Sequence, residues 1–299
     1  MEAVSSFRGL NNVSDPMRLG MSWLVTADNV NISDTGSLSK RDGYALNRSG
    51  AFKSAYSTLD FSRLYLATAS DIQTFGGVSI VSLTSGSPLY WAEVNEQVFY
   101  NNGTDSGVIL PDNNVIPWRD APITVNKYLG ADGVELESLF DGLPLGVDVI
   151  QHWRGRMYAA QYMASENQTV LWFSEPLSYY LFNLDSNFII LPGRVEMLAP
   201  HDAALVIGTD AKVFAYDGAK IEQVAEYGVV PGVSWARDDE RILMWTKRGL
   251  CAFPTFTNLT ERQVSVAPGV RAGVAVVRSG GQKKFVASLQ RGDQPFNAI

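Results

Sequence analysis

The side chains in this 299-residue sequence that could do chemistry are few and scattered. The two histidines, His152 and His201, stand in Gln151-His152-Trp153 and Pro200-His201-Asp202, and neither comes with a Gly-x-Ser-x-Gly nucleophile turn. The one cysteine, Cys251, lies in the apolar run from Gly249 to Phe253 and reads as a small buried hydrophobe. Without a second cysteine there is no intrachain disulfide, and a Cys/His zinc site is excluded. Asp238-Asp239-Glu240 is the densest acidic cluster, and Glu166, Glu175 and Asp185 are further acids in polar stretches. Glycoside hydrolysis needs two separated carboxylates flanking one sugar bond, whereas three adjacent acids just before a strand read as a solvated turn. An Asp-x-Asp-x-Asp-Gly calcium loop is missing. Gly76-Gly77 and Gly280-Gly281 lack the Lys-Ser/Thr of a phosphate loop, Lys283 and Lys284 beside Arg278 read as a charged hairpin tip, and Arg291-Gly292-Asp293 reads as a tail turn. The expectation is a chain with no catalytic residues, no cofactor and no metal.

The elements that would have to position any site are more informative. A charged or small residue followed by a short apolar, β-branched and aromatic run recurs from Arg63, Glu96, Arg156, Ala204, Arg241 and Lys284. Successive starts lie about 33, 60, 48, 37 and 43 residues apart, and the second gap is long enough to hold one more copy. A unit of this size cannot bury an apolar face alone, so the copies must pack against one another. The fold class expected is all-β, a β-propeller of small antiparallel sheets, with a β-sandwich as the alternative. Hairpins are expected where Asn95-Glu96, Glu166-Asn167, Asp217-Gly218 and Lys247-Arg248-Gly249 separate strand-like runs. Residues 111–150, with Pro111, Pro117, Pro122 and Pro144, form the least regular stretch, with a short helix expected around Glu135 to Phe140. Residues 1–50 differ again. They carry turn-forming residues, an anchor at Trp23-Leu24-Val25 and a hairpin from Asp28 to Tyr44, so the chain divides into an N-terminal arm and hairpin, 1–50, and a repeat body, 51–299.

Composition agrees with a packed all-β chain. Hydrophobic residues make up 46% and aromatics 11% of the sequence, with seven tryptophans, enough for a substantial core. A net charge of −7 argues against a dedicated nucleic-acid surface. No segment approaches eighteen continuous apolar residues, so no membrane span is expected, and Met1 to Arg8 lacks the pattern of a secretory leader. The expectation is a soluble protein made in a cytoplasm.

Residues 7–16, Phe7-Arg8-Gly9-Leu10-Asn11-Asn12-Val13-Ser14-Asp15-Pro16, lead into Asp28-Asn29-Val30-Asn31-Ile32 and Gly36-Ser37-Leu38-Ser39-Lys40-Arg41-Asp42-Gly43-Tyr44. This succession of a Gly-x-Asn…Asp-Pro arm and an Asn-Val…Gly-x-Leu-x-x-Arg-x-Gly hairpin resembles the opening of tail and tail-tip structural proteins of tailed bacteriophages, several of them propeller-like. Ser54-Ala55-Tyr56-Ser57 and Arg63-Leu64-Tyr65 fit the entry to a first blade, and the resemblance covers about residues 7–67. It implies a virion structural protein of the tail, joining or lining the tail tube and distal tip. Such a protein would be assembled in the bacterial host cytoplasm, as a homo-oligomer about the tail axis with other tail proteins as partners. The modest acidic charge is compatible with DNA passing through such a channel. Phe7, Leu10, Val13, Met17 and Leu19 are then the interface candidates, because an extended arm repays its ordering entropy through contacts. The alternative is an adsorption module binding a host receptor or glycan through Trp118, Trp153, Tyr179 and Tyr180, whose aromatic faces suit sugars and proteins. A glycan-degrading enzyme is the third reading.

Overall fold

In the computed structural model, the described residues are 4, 6–41, 43, 45, 47–118, 128–129, 135–136, 141–279 and 282–292. The fold is all-β, a β-propeller of small sheets, and six such sheets follow one another along the chain among the described residues. The chain divides into two compact units, residues 50–229 and residues 1–49 with 230–299.

Residues 50–229 hold four sheets. The first runs through Ser54–Ser57, Leu64–Ala67, Asp71–Thr74 and Ser79–Ser82, and the second through Tyr90–Val94, Gln97–Asn101, Ser106–Ile109 and Val115–Ile116. The third is built on Val147–Trp153, Arg156–Met163, Gln168–Glu175 and Ser178–Phe182, with Phe188–Pro192 also on the third strand. Val195–Pro200, Leu205–Thr209, Val213–Tyr216 and Ile221–Ala225 make the fourth. In each, neighbouring strands are antiparallel and, apart from Phe188–Pro192, consecutive in sequence, a meander in which only short turns are needed. A sandwich would instead pass strands between two large sheets.

The repeated run found in the sequence is the second strand of each of these four sheets. Gln97–Asn101 and Leu205–Thr209 are buried along almost their whole length. A strand covered on both faces reads as a continuous apolar run instead of an alternating one, which is why these stretches stood out. The covering cores lie between successive sheets. Phe99, Trp118, Ile150, Met157 and Phe182 fill the space between the second and third, and Trp153, Tyr158, Leu171, Leu198 and Leu205 that between the third and fourth. Asn95 and Glu96 both have positive φ, 50° and 63°, the backbone of a two-residue hairpin turn whose twist matches the strands it joins.

The other unit holds the fifth sheet, Trp235–Asp238, Arg241–Thr246, Gly249–Phe253 and Thr257–Asn258, again a meander. The sixth is different: Arg271–Ser279 pairs antiparallel with Gln282–Gln290, and Gly232–Val233 adds in parallel on its other side. Gly232 has φ +107°, and a Cβ there would stand 2.4 Å from the carbonyl oxygen of Ala272, so only glycine allows this approach. The same unit contains the hairpin Val30–Ile32 with Leu38–Lys40 and a parallel pair, Gly9–Leu10 with Trp23–Leu24.

The helix expected around Glu135 to Phe140 is corrected in part. Glu135–Leu136 is extended and pairs with Tyr128–Leu129, and 137–140 fall outside the described residues, as do Gly280-Gly281 and residues 293–299 of the tail. Among the described residues of the long 96-to-156 gap, this hairpin follows the end of the second sheet, and no further copy of the repeated run is seen.

Candidate functional site

The acidic triplet sits at the turn between the first two strands of the fifth sheet, with Asp239 at φ +51°. It is paired. Asp238, a buried carboxylate, meets the Arg241 guanidinium and receives a hydrogen bond from Lys283 Nζ at 3.0 Å. Asp239 meets the same Lys283 ammonium, and Arg278 reaches its Oδ1 at 3.1 Å. The basic hairpin tip of the sixth sheet thus neutralises the acidic turn of the fifth, two features that the sequence presented as unrelated. The Lys283 hydrogen bonds hold both aspartates below the ordinary carboxylate range and raise the lysine. A glycosidase acid has the opposite shift, a carboxyl kept protonated near neutrality. An open cavity of about 630 Å³ lies beside this cluster, with Leu243, Leu250 and Phe285 on its apolar side.

The remaining acids do not converge on it. Glu166 is exposed at a hairpin turn, Glu175 accepts from Asn187 Nδ2 at 2.6 Å, and Asp185 lies exposed in the turn between Ser178–Phe182 and Phe188–Pro192 of the third sheet. No cluster of three or more metal-ligating side chains occurs among the described residues.

The histidines are structural in their contacts. His152 lies on the first strand of the third sheet with its ring edge-on to Tyr179, 5.4 Å between centroids. Its Nε2 is buried with no hydrogen-bond partner among the described residues, and burial pushes its pKa down. His201 closes the first turn of the fourth sheet: its Nδ1 accepts from Ala203 N at 3.0 Å, while its carbonyl accepts from Trp153 Nε1 at 2.7 Å. Cys251 is buried, its Sγ 3.6 Å from Thr246 Oγ1.

Three of the four aromatics expected at a glycan face are interior, which corrects that expectation. Trp118 is fully buried, edge-on to Phe99 at 4.9 Å, with Nε1 donating to the Tyr179 carbonyl at 3.1 Å. Trp153 and Tyr179 are buried as well. Large rings with one polar atom satisfied by a backbone carbonyl are what the space between two sheets selects. Tyr180 is half-buried and donates to Gln97 Oε1 at 2.9 Å.

The five interface candidates divide. Phe7 and Leu10 belong to the base of the arm: Phe7 N donates to the Gly36 carbonyl at 2.8 Å, and Leu10 pairs with Leu24. Asn12 staples that base to residues far along the chain. Its side chain donates to the Ser265 carbonyl at 3.0 Å and accepts from Ser265 N at 2.7 Å, and its backbone N donates to Gln263 O at 3.0 Å. Beyond it the chain leaves as an excursion that returns at Trp23. Val13 and Met17 are exposed there, Met17 to 92%, with Met21 also exposed and Leu19 half-buried. Asn11 Oδ1 caps Val13 and Ser14, and Asp15 Oδ1 caps Met17, giving the excursion a defined turn of 3₁₀ helix at Pro16–Arg18.

Two arginines that the sequence did not single out as functional tie consecutive sheets of residues 50–229. Arg63 reaches from the first sheet to the carbonyls of Glu96 at 2.5 Å and Leu110 at 3.1 Å in the second. Arg154 reaches from the third to the carbonyls of Asp202 at 2.6 Å and Asp217 at 2.8 Å in the fourth. Each bridges the first-to-second and third-to-fourth strand turns of the next sheet, so these turns share one end. The signal was present, since Arg63 opens a repeat copy and Arg154 sits in the turn before another, but its target is a backbone atom and leaves no trace in sequence.

No family model matches this chain, and no curated protein matches it. Among solved structures it is similar to the extracellular domain of a putative hybrid two component system from B. thetaiotaomicron, at 15% identity and TM-score 0.40, covering 75% of this chain and 28% of that one. It is also similar to PorZ, a surface component of the type-IX secretion system of Porphyromonas gingivalis, at 13% identity and TM-score 0.39, covering 80% and 30%. The chain therefore spans less than a third of the length of these structures, and likenesses of this size transfer no activity, ligand or partner.

Proposed function

We propose that this protein is a non-catalytic structural component of a bacteriophage tail, present in several copies and assembled through its N-terminal arm. The observation that carries this reading is the 13–21 excursion. Its base is stapled by Asn12 to residues 263 and 265, yet Val13, Met17 and Met21 point their apolar side chains into water. A capped segment that keeps methionines exposed is ready for an interface, because part of its ordering cost is met before the partner arrives. The resemblance of residues 7–67 to tail proteins supplies the setting. The paired acids and the turn-bound His201 suit a scaffold. Mass spectrometry of purified phage particles from the encoding genome tests the proposal: peptides of this chain in stoichiometric amount are expected, and their absence from intact particles refutes it.

Adsorption to a host surface is the second reading. It is favoured by Leu59 and Phe61, exposed to 75% and 86% on one rigid turn, which could meet a receptor. Particles carrying Phe61→Asp would then assemble normally and fail to bind host cells.

A further inference from the structure

We infer that the turn bearing Leu59 and Phe61 is the docking surface for the 13–21 segment of a second copy of this chain, an inference that rests on the assembly role proposed above. The turn is built to present its apolar side chains. Phe61 has φ +59°, a left-handed backbone that a bulky residue rarely adopts, with its ring in water. A dense set of hydrogen bonds imposes it. Phe61 N donates to the carbonyl of Thr58, a buried residue, at 2.9 Å, and Thr58 Oγ1 donates to Asp60 Oδ1 at 2.6 Å. Ser62 N donates to the same Asp60 oxygen at 3.0 Å, and Leu59 N donates to Glu93 Oε2 of the second sheet at 2.8 Å. Arg63, clamped to the second sheet, closes the turn. Val78, also exposed, lies on the neighbouring turn of the same sheet end, where Phe75 N donates to the Leu64 carbonyl at 2.9 Å. Solvation of a lone chain gives no reason to hold an aromatic residue in this conformation. A rigid anchor entering a partner does.

Charge selects the partner. Residues 50–229 contain 9 Lys and Arg against 21 Asp and Glu, a formal charge of −12, whereas residues 1–49 with 230–299 contain 15 against 10, a formal charge of +5. At the turn end in question Asp60, Glu96, Asp112, Asp202 and Asp217 are exposed, while Arg63 and Arg154 are engaged with carbonyls. Hydrogen bonds from Ser62 and Thr58 bring the Asp60 carboxyl down to about 2, so it remains an anion. The complementary surface is apolar and basic; the excursion supplies the apolar part, Val13, Met17 and Met21 exposed, with exposed Arg18, which also meets Asp15 at 3.9 Å, and Arg8 at its base, on the unit whose formal charge is +5. Methionine side chains adapt to an irregular apolar surface and contact aromatic rings well. Because the two surfaces differ, the contact is heterologous and repeats from copy to copy, as a ring or a filament requires.

Sedimentation velocity of the full chain at ~50 mM and ~500 mM salt is the test, since attraction between exposed charges is screened over this range. Self-association that weakens with salt is expected. Phe61→Asp and Met17→Asp should each weaken it roughly tenfold or more, as loss of an anchor does, with circular dichroism unchanged because both side chains are exposed. Glu96→Lys and Arg18→Asp should each weaken it, and the double variant should recover part of the loss. A chain that stays monomeric at all concentrations overturns the inference, as does association indifferent to Phe61→Asp. Unchanged sedimentation with lost host adsorption would assign the turn to receptor binding instead. Particle composition is measured separately, so a tail protein that does not self-associate by this contact would refute the inference and leave the assembly role standing.

Discussion

Residues 50–229 and the unit formed by residues 1–49 with 230–299 use the same short strands and hold them by different means. In the first, four meanders stack with aromatic and aliphatic side chains between them, and Arg63 and Arg154 reach across to backbone carbonyls of the following sheet. In the second, distant parts of the chain are joined. Gly232–Val233 adds in parallel to Arg271–Ser279, Asn12 binds Ser265, and Lys283 binds the Asp238 and Asp239 turn. The difference is one of connectivity: in the contiguous unit the packed sheets are neighbours along the chain, whereas in the discontinuous one a core of Val230, Trp245, Phe285 and Leu289 is accompanied by polar contacts that join the two ends of the sequence.

The sharpest way to break this contrast is to remove an interior aromatic. Trp118→Ala should destabilise residues 50–229 by about 3–5 kcal/mol, the cost of a large cavity plus an unpaired Tyr179 carbonyl, read from urea unfolding. A loss below about 1 kcal/mol would show that the space between the second and third sheets repacks. Next, Arg63→Met keeps the apolar stem and removes both carbonyl contacts, and should cost about 1.5–3 kcal/mol, the range for hydrogen bonds to a charged group. The same variant should release the Leu59–Phe61 turn, visible as faster amide exchange at Ser62.

Acid should then separate the two units. His152 has a folded pKa below its ordinary value, so the unfolded chain binds a proton first. The stability it contributes is intact above about 6.5 and is lost as pH falls toward the lowered folded value. Asp238 is also lowered, from 3.8, so its contribution is intact above that value and is lost only as pH falls further. Protection against amide exchange between about pH 7 and 5 should therefore weaken around the third sheet before the fifth, and His152→Gln should abolish that first phase. Equal weakening of both sheets would contradict the assignment.

The smallest effect is expected at the arm. Asn12→Ala should lower global stability by no more than about 1 kcal/mol, yet it frees the base of the 13–21 excursion. Limited trypsin digestion at Arg18 should become several-fold faster, and unchanged cleavage would show that Ser265 does not hold the arm.

The meanders were legible in sequence because a strand buried on both faces must be written as an unbroken apolar run, and a tight hairpin must carry residues that tolerate positive φ, as Asn95 and Asn167 do. Those requirements are local, so residue types alone determined the all-β class, the repeats and most turns. The sequence also suffices for the opposite charges of the two units once their boundary is known. Only the tertiary structure decided which aromatics are interior. Trp118 and Trp153 look the same in sequence whether they face solvent or an adjoining sheet, and their burial depends on strands dozens of residues away. It alone decided that Lys283 neutralises Asp238, that Asn12 meets Ser265, and that Phe61 stands exposed on a fixed turn. Each of these is a contact, or the lack of one, between groups distant in sequence, and only folding sets those distances.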